Sequence, residues 1–147
     1  MKRGEMLNKM LVLATTEFSG VFDKGGAPYI LHCLKVMYYL KSDDEELQCI
    51  GLGHDLVEDC KTVTYARLRE MGFTERIIDG IRAMTKVPGE TNDEYMVRIK
   101  ANPDAIRCKL ADLRHNSDIR RLKGVTEKDV KRIAKYHSMY LELKELV

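Results

Sequence analysis

Gly53-His54-Asp55-Leu56-Val57-Glu58-Asp59 is the stretch on which the reading of this chain turns. It closes a helical segment that begins at Glu45, after a capping run Ser42-Asp43-Asp44. On a helix running from Glu45 to about Asp59, His54, Asp55, Glu58 and Asp59 fall at about 0°, 100°, 40° and 140°. An imidazole and three carboxylates then share one face. Neighbouring carboxylates repel unless water or a cation comes between them, and a divalent metal is the usual cation. The plain alternative is a solvated acidic face. Gly51, Leu52, Leu56 and Val57 argue against it, because they suit a helix set in the interior of a helical protein.

Outward from that segment the pattern stays helical. Leu7, Met10, Leu11, Ala14 and Phe18 recur at steps of three and four. Asp23-Lys24-Gly25-Gly26-Ala27-Pro28 breaks the pattern as a loop, and a second helix is expected from near Tyr29 to about Leu40. Thr64 and Thr74 read as N-caps of two short helices separated at Gly72. Thr91-x-x-Glu94 is a capping box opening a helix to about Lys100. Asn102-Pro103 is an N-cap with proline at the first helical position, opening a helix that can reach Arg121. Thr126-x-x-Asp129 caps a last helix to the C-terminus. No period-2 alternation marks a strand. The expectation is an all-α, compact bundle of about seven or eight helices forming one domain over residues 1–147.

Composition sets the limits. Lys and Arg number 25 against 23 Asp and Glu, a net of +2, which excludes a bulk polyanion binder. Apolar residues at 44% and charged residues at 33% describe a globular chain rather than a disordered one. No apolar run approaches a membrane span. Lys2, Arg3 and the run Met10–Ala14 fall short of a secretory signal, because Glu5, Asn8 and Lys9 interrupt them. Cys33, Cys49, Cys60 and Cys108 form no C-x-x-C pair, so they read as buried free thiols of a cytoplasmic protein.

Two further segments offer metal ligands. His32 sits in the first turns of the second helix. Lys109-Leu110-Ala111-Asp112-Leu113-Arg114-His115-Asn116 puts Lys109, Asp112, His115 and Asn116 on one stripe. Taken singly, His32 reads as a satisfied core histidine and Asp112 as a helix ion-pair partner; beside the 53–59 stretch they read as ligands. Mixed imidazole and carboxylate donors suit Mn, Fe, Co or Zn better than Ca or Mg. Charge is also uneven: residues 107–135 carry ten basic side chains against four acids, a net +6. Two solvated amphipathic helices would explain this, as would a surface that meets phosphate.

These segments together resemble the HD phosphohydrolase superfamily, whose signature is H…HD…D. Within it the chain looks most like the hydrolase domain of the RelA/SpoT-type alarmone enzymes and their stand-alone small forms. The resemblance spans roughly residues 14–140. Its anchors are Lys24-Gly25-Gly26-Ala27-Pro28-Tyr29-Ile30-Leu31-His32, His54-Asp55-Leu56-Val57-Glu58-Asp59, Met84-Thr85-Lys86 and Lys109–Asn116. It implies that His32, His54, Asp55 and Asp112 bind one metal, Mn2+ in the family. Glu58 and Asp59 would be the catalytic acid/base pair acting on the attacking water. Lys24 and Asn116 would hold the nucleotide, with Arg132 and Tyr136 of the last helix as further substrate contacts. The implied reaction removes the 3′-pyrophosphate of (p)ppGpp, giving GDP or GTP and pyrophosphate.

The chain departs from the family's pattern at several positions. Phe18, Val21 and Asp23 stand where the family has His, Gln and Arg. Cys33 stands for Pro and Cys60 for Thr, and Leu113-Arg114 reverses the usual Arg-Leu order. Asp23 bears on the base, because the family's Arg lies beside it. This leaves open another nucleotide substrate, such as a nucleoside monophosphate or an NADPH-like phosphoester. A non-enzymatic helical module binding a nucleotide or nucleic acid is the rival of another class. Nucleic acid is not the expected partner, since no aromatic-rich RNA motif accompanies the basic segment. His137 reads as packing or surface.

Overall fold

Side-chain caps start most of the helices. The computed structural model describes residues 1–147. It contains α1 (Glu5–Glu17), α2 (Ile30–Tyr39), α3 (Glu45–Gly53), α4 (Leu56–Asp59), α5 (Tyr65–Glu70), α6 (Glu75–Met84), α7 (Asn92–Lys100), α8 (Pro103–Asn116) and α9 (Glu127–Lys144). A 3-10 turn, Ile119–Arg121, lies between α8 and α9. Asp44, Thr64, Thr74, Thr91, Asn102 and Thr126 each accept a hydrogen bond from a backbone N–H in the first turn of α3, α5, α6, α7, α8 and α9. Each such cap stabilises its helix by about 0.5–2 kcal/mol. The architecture is the all-α bundle expected, and no strand forms beyond one isolated bridge, Phe22 to Pro28.

Two expected helices end early. The helix expected to run unbroken from Glu45 to Asp59 stops at Gly53, turns through His54 and Asp55, and resumes as the single turn α4. Asp55 takes φ −99° and ψ −3°, the bridge region where many active-site residues sit. The break has a local cause: the His54 ring folds back so that Nδ1 lies 2.8 Å from the Gly51 carbonyl oxygen. The eighth helix stops at Asn116 rather than Arg121. Asp118 caps the 3-10 turn instead and draws Arg120 and Arg121 off the helical path.

α3 occupies the middle of the bundle and packs against α1, α2, α6 and α8. Leu47, Cys49, Ile50 and Leu52 are fully buried along it. Its glycines permit this crowding. A Cβ on Gly53 would stand 2.8 Å from the Met10 sulfur, and one on Gly51 would stand 2.8 Å from Leu40 Cδ1. Small residues thus let α1 and α2 close on α3 and carry His32 to His54. The buried apolar residues form one contiguous cluster through all of these helices. Cys33, Cys49 and Cys108 lie in it as free thiols, while Cys60 is only half-buried. No helix is long and apolar enough to cross a membrane.

Candidate metal centre

Four side chains from three places in the chain meet at one point. His32 comes from α2, His54 and Asp55 from the break between α3 and α4, and Asp112 from α8. One donor atom from each lies within 4.8 Å of all the others. His32 Nε2 stands 3.0 Å from Asp112 Oδ1 and 3.7 Å from Asp55 Oδ2; His54 Nε2 stands 3.0 Å from Asp55 Oδ2 and 3.3 Å from Asp112 Oδ1. Both histidines are buried, as is Asp112. The packing of α1 and α2 on α3 supplies this convergence.

The donor set fits a divalent metal. His32 Nε2 and His54 Nε2 are buried and make no hydrogen bond of good geometry, a state that native interiors avoid. The other nitrogen of each ring is engaged. His54 Nδ1 faces the Gly51 carbonyl, so it carries the proton and leaves the Nε2 lone pair aimed at the cluster. His32 Nδ1 lies 2.7 Å from His115 Nδ1. Burial and the nearby Arg121 push the His115 imidazole down to about 4, so it is neutral and accepts the His32 proton. Both rings are therefore oriented by outer partners, as metal-binding histidines usually are.

Electrostatics make the same demand. Burial opposes ionisation of Asp112, yet Lys109 and His54 hold it ionised, well below the usual carboxylate range. Burial also opposes ionisation of Asp55, and the neighbouring His54 overcomes it. The two carboxylates in turn raise His54 against the effect of its own burial. Two buried negative charges thus call for a cation among these four side chains, a need that a divalent metal meets. The carboxylates are themselves held: Lys109 Nζ donates to Asp112 Oδ2 at 2.9 Å, Asn116 Nδ2 to Asp112 Oδ1 at 2.9 Å, and Tyr29 Oη to Asp55 Oδ2 at 2.5 Å.

Glu58 and Asp59 flank the cluster from α4 and face solvent. Glu58 Oε1 accepts from the Lys86 backbone N–H at 2.9 Å. Lost hydration and the charges of Asp55 and Glu58 raise the Asp59 carboxyl to about 6. Such a group changes protonation near neutral pH, as a general base does.

Beside the cluster opens a cavity of about 330 Å³. Lys24, Asn116, Arg132 and Tyr136, which the sequence places in three separate segments, all line it, and Tyr29 joins it to the cluster. Arg132 Nη2 is tethered to Asp129 Oδ1 at 2.7 Å. The Gly-rich loop closes one side. A Cβ on Gly25 would stand 1.9 Å from the Arg121 carbonyl oxygen, so only glycine lets the loop approach the 3-10 turn. Asp23 faces into the same wall, where its Oδ2 accepts from Arg121 Nη2 at 3.1 Å. Its Oδ1 accepts from the Ala27 N–H.

Tyr29, Lys109, His115 and Arg121 are the supporting residues that sequence reasoning did not assign. Lys109 and His115 lie on the stripe of Asp112, and Tyr29 precedes His32 by one helical step of three, so a spacing signal existed for these. Arg121 had none, because it meets Asp23 across 98 positions of sequence.

No family model matches the chain. Two curated relatives, both named "Putative GTP diphosphokinase RSH1, chloroplastic" and both from Arabidopsis thaliana, are 31% identical to it over a 134-residue alignment. The alignment covers 78% of this chain and 15% of each relative, so the chain spans a small part of their length. A solved structure described as "A metazoan ortholog of SpoT hydrolyzes ppGpp and plays a role in starvation responses" superposes with a TM-score of 0.80 at 18% identity. It covers 97% of this chain and 87% of its own. The chain thus resembles the RelA/SpoT-type hydrolase domain in sequence and shares that domain's fold.

Proposed function

We propose that the chain is a metal-dependent nucleotide pyrophosphohydrolase that removes the 3′-pyrophosphate of (p)ppGpp, giving GDP or GTP and pyrophosphate. The observation that carries this reading is the convergence of four donors with orphaned imidazole Nε2 atoms beside a cavity lined by Lys24, Arg132 and Tyr136. His32, His54, Asp55 and Asp112 would hold the ion, Mn2+ by the resemblance, with Fe, Co or Zn open to the same donors. Held by these four residues, a divalent ion would supply Lewis acidity toward a phosphoryl oxygen and toward water.

The chain's own residues do the rest. Asp59 accepts a proton from the attacking water, and Glu58 beside it on α4 orients that water. Lys24 and Arg132 meet phosphoryl oxygens through charge-assisted hydrogen bonds. Asn116 holds Asp112 and lines the cavity at once. Tyr136 offers a half-buried phenol at the wall. Cytoplasmic action suits the four free thiols.

Asp23 supports a second substrate within the same reaction class. A carboxylate paired with Arg121 occupies the cavity wall at the position where, by the resemblance, an Arg lies beside the base, which favours a different base or a different phosphoester, a nucleoside monophosphate or an NADPH-like compound among them. Purified protein with Mn2+ is to be given ppGpp, pppGpp and such nucleotides. Metal-dependent release of pyrophosphate from ppGpp is the expected result. Release only of phosphate from another nucleotide transfers the reading to that substrate, and no turnover of any of them ends it.

A further inference from the structure

Eleven arginines occur in the chain. Nine have a carboxylate within 4.0 Å: Arg3, Arg67, Arg69, Arg76, Arg82, Arg98, Arg120, Arg121 and Arg132. The two without one, Arg107 and Arg114, line the same hollow. It is a second cavity, of about 290 Å³, between α2, α8 and α9, and Tyr39, Leu110, Tyr140 and Lys144 also line it. Lys144 is unpaired as well. No acidic side chain lines this cavity.

We propose that this cavity binds an oligophosphate group, a diphosphate being the smallest member. Three cationic side chains line one concave surface that carries no acidic side chain, with Val147 at its edge, and guanidinium and ammonium groups so grouped recognise phosphoryl oxygens. Arg114 is set in advance: its guanidinium carbon stands 3.9 Å from the centre of the Tyr39 ring, so the ring face holds the side chain while its N–H edge stays free. Arg107 and Arg114 are seven positions apart, two turns of α8, and so project from one face.

The site stands apart from the proposed reaction centre. The first cavity draws on Arg132 and Tyr136 of α9, and this one on Tyr140 and Lys144, one and two turns further on. The two are joined by rings: Tyr39 lies edge-on to His115 at 6.1 Å, and His115 supports His32.

Amide spectra of the full-length, isotope-labelled chain, titrated with inorganic pyrophosphate and in a second arm with GDP, locate the anion. Shifts around Arg107, Leu110, Arg114 and Tyr140 are expected, whether or not Lys24 and Arg132 also respond. An Arg107→Gln, Arg114→Gln double variant should weaken binding at these signals about tenfold or more, leaving any response at Lys24 and Arg132 unchanged. Arg107 is exposed and unpaired, so the Arg107→Gln single variant keeps the fold and tests the same point. GDP binding as tightly as pyrophosphate, or more tightly, supports the site. The proposal fails if pyrophosphate shifts only residues around Lys24 and Arg132, if GDP alone binds, or if the double variant binds as the parent does.

Discussion

Two polar clusters of this molecule contain similar residues and do opposite things. Arg76 on α6 meets three carboxylates, Asp44 and Glu46 at the start of α3 and Asp104 at the start of α8, with nitrogen–oxygen distances of 2.8, 3.4 and 2.9 Å. That cluster carries its own cation, and every carboxylate in it has a partner. The His32, His54, Asp55 and Asp112 cluster is buried, and two imidazole nitrogens in it have none. A saturated cluster ties helices together. An unsaturated, convergent one asks for a ligand.

The sharpest break between the two is metal binding. Asp55→Ala should abolish bound metal and turnover together, whereas Arg76→Gln should leave both intact; metal analysis of the purified variants beside a pyrophosphate-release assay checks this. Next in size is Asp59→Asn, expected to retain metal while turnover falls by about 10²–10⁴-fold. Lys109→Met keeps the stem of the side chain but removes the donor to Asp112 Oδ2, and should weaken metal binding by about 10–100-fold in a competition titration. Arg76→Gln should lower stability by about 1 kcal/mol or less in denaturant unfolding, because its ion pairs are partly open to solvent.

The smallest difference concerns pH, and its sign separates the clusters. Arg76 holds Asp44 below its ordinary value, so that contribution to stability is present above about pH 4 and fades as pH falls below it. Asp59 is raised to about 6 by desolvation and by Asp55 and Glu58. In metal-free protein its ionisation therefore works against folding, and stability declines as pH rises from about 4 through about 6. Carboxyl-carbon NMR titrations of Asp44 and Asp59 should move apart in these directions. Coincident titrations would mean that the two carboxylates sit in equivalent electrostatic surroundings.

Most helix starts were legible because a cap is a local device. Thr91 and Glu94, or Asn102 and Pro103, lie within one turn of each other, and the backbone N–H that each cap satisfies is three residues away. The end of α3 was not legible. It depends on the His54 ring turning back to Gly51, and period alone does not reveal a ring's direction. The ligand residues were legible as types and spacings, and their grouping with Lys24, Arg132 and Tyr136 came from the family resemblance. The partners that orient them were harder. His32 meets His115 across 83 positions, and nothing in either segment announces the other.

The basic run 107–135 shows where sequence and structure divide. Its net charge of +6 is a property of composition and suggested one phosphate-facing surface. In the fold it is shared out. Lys109 is spent on Asp112, Arg121 and Arg132 face the first cavity beside acidic partners, and Arg107 and Arg114 face the second with none. The sequence by itself determined the helices, their caps and the chemical kinds of side chain available, because these follow from contacts within a turn or two. Only the tertiary structure decided which imidazole nitrogens point at which carboxylates and which guanidinium groups stay unpaired. Both depend on how closely α1, α2 and α8 approach α3, and Gly51 and Gly53 set the approach of α1 and α2 by leaving no Cβ in the way.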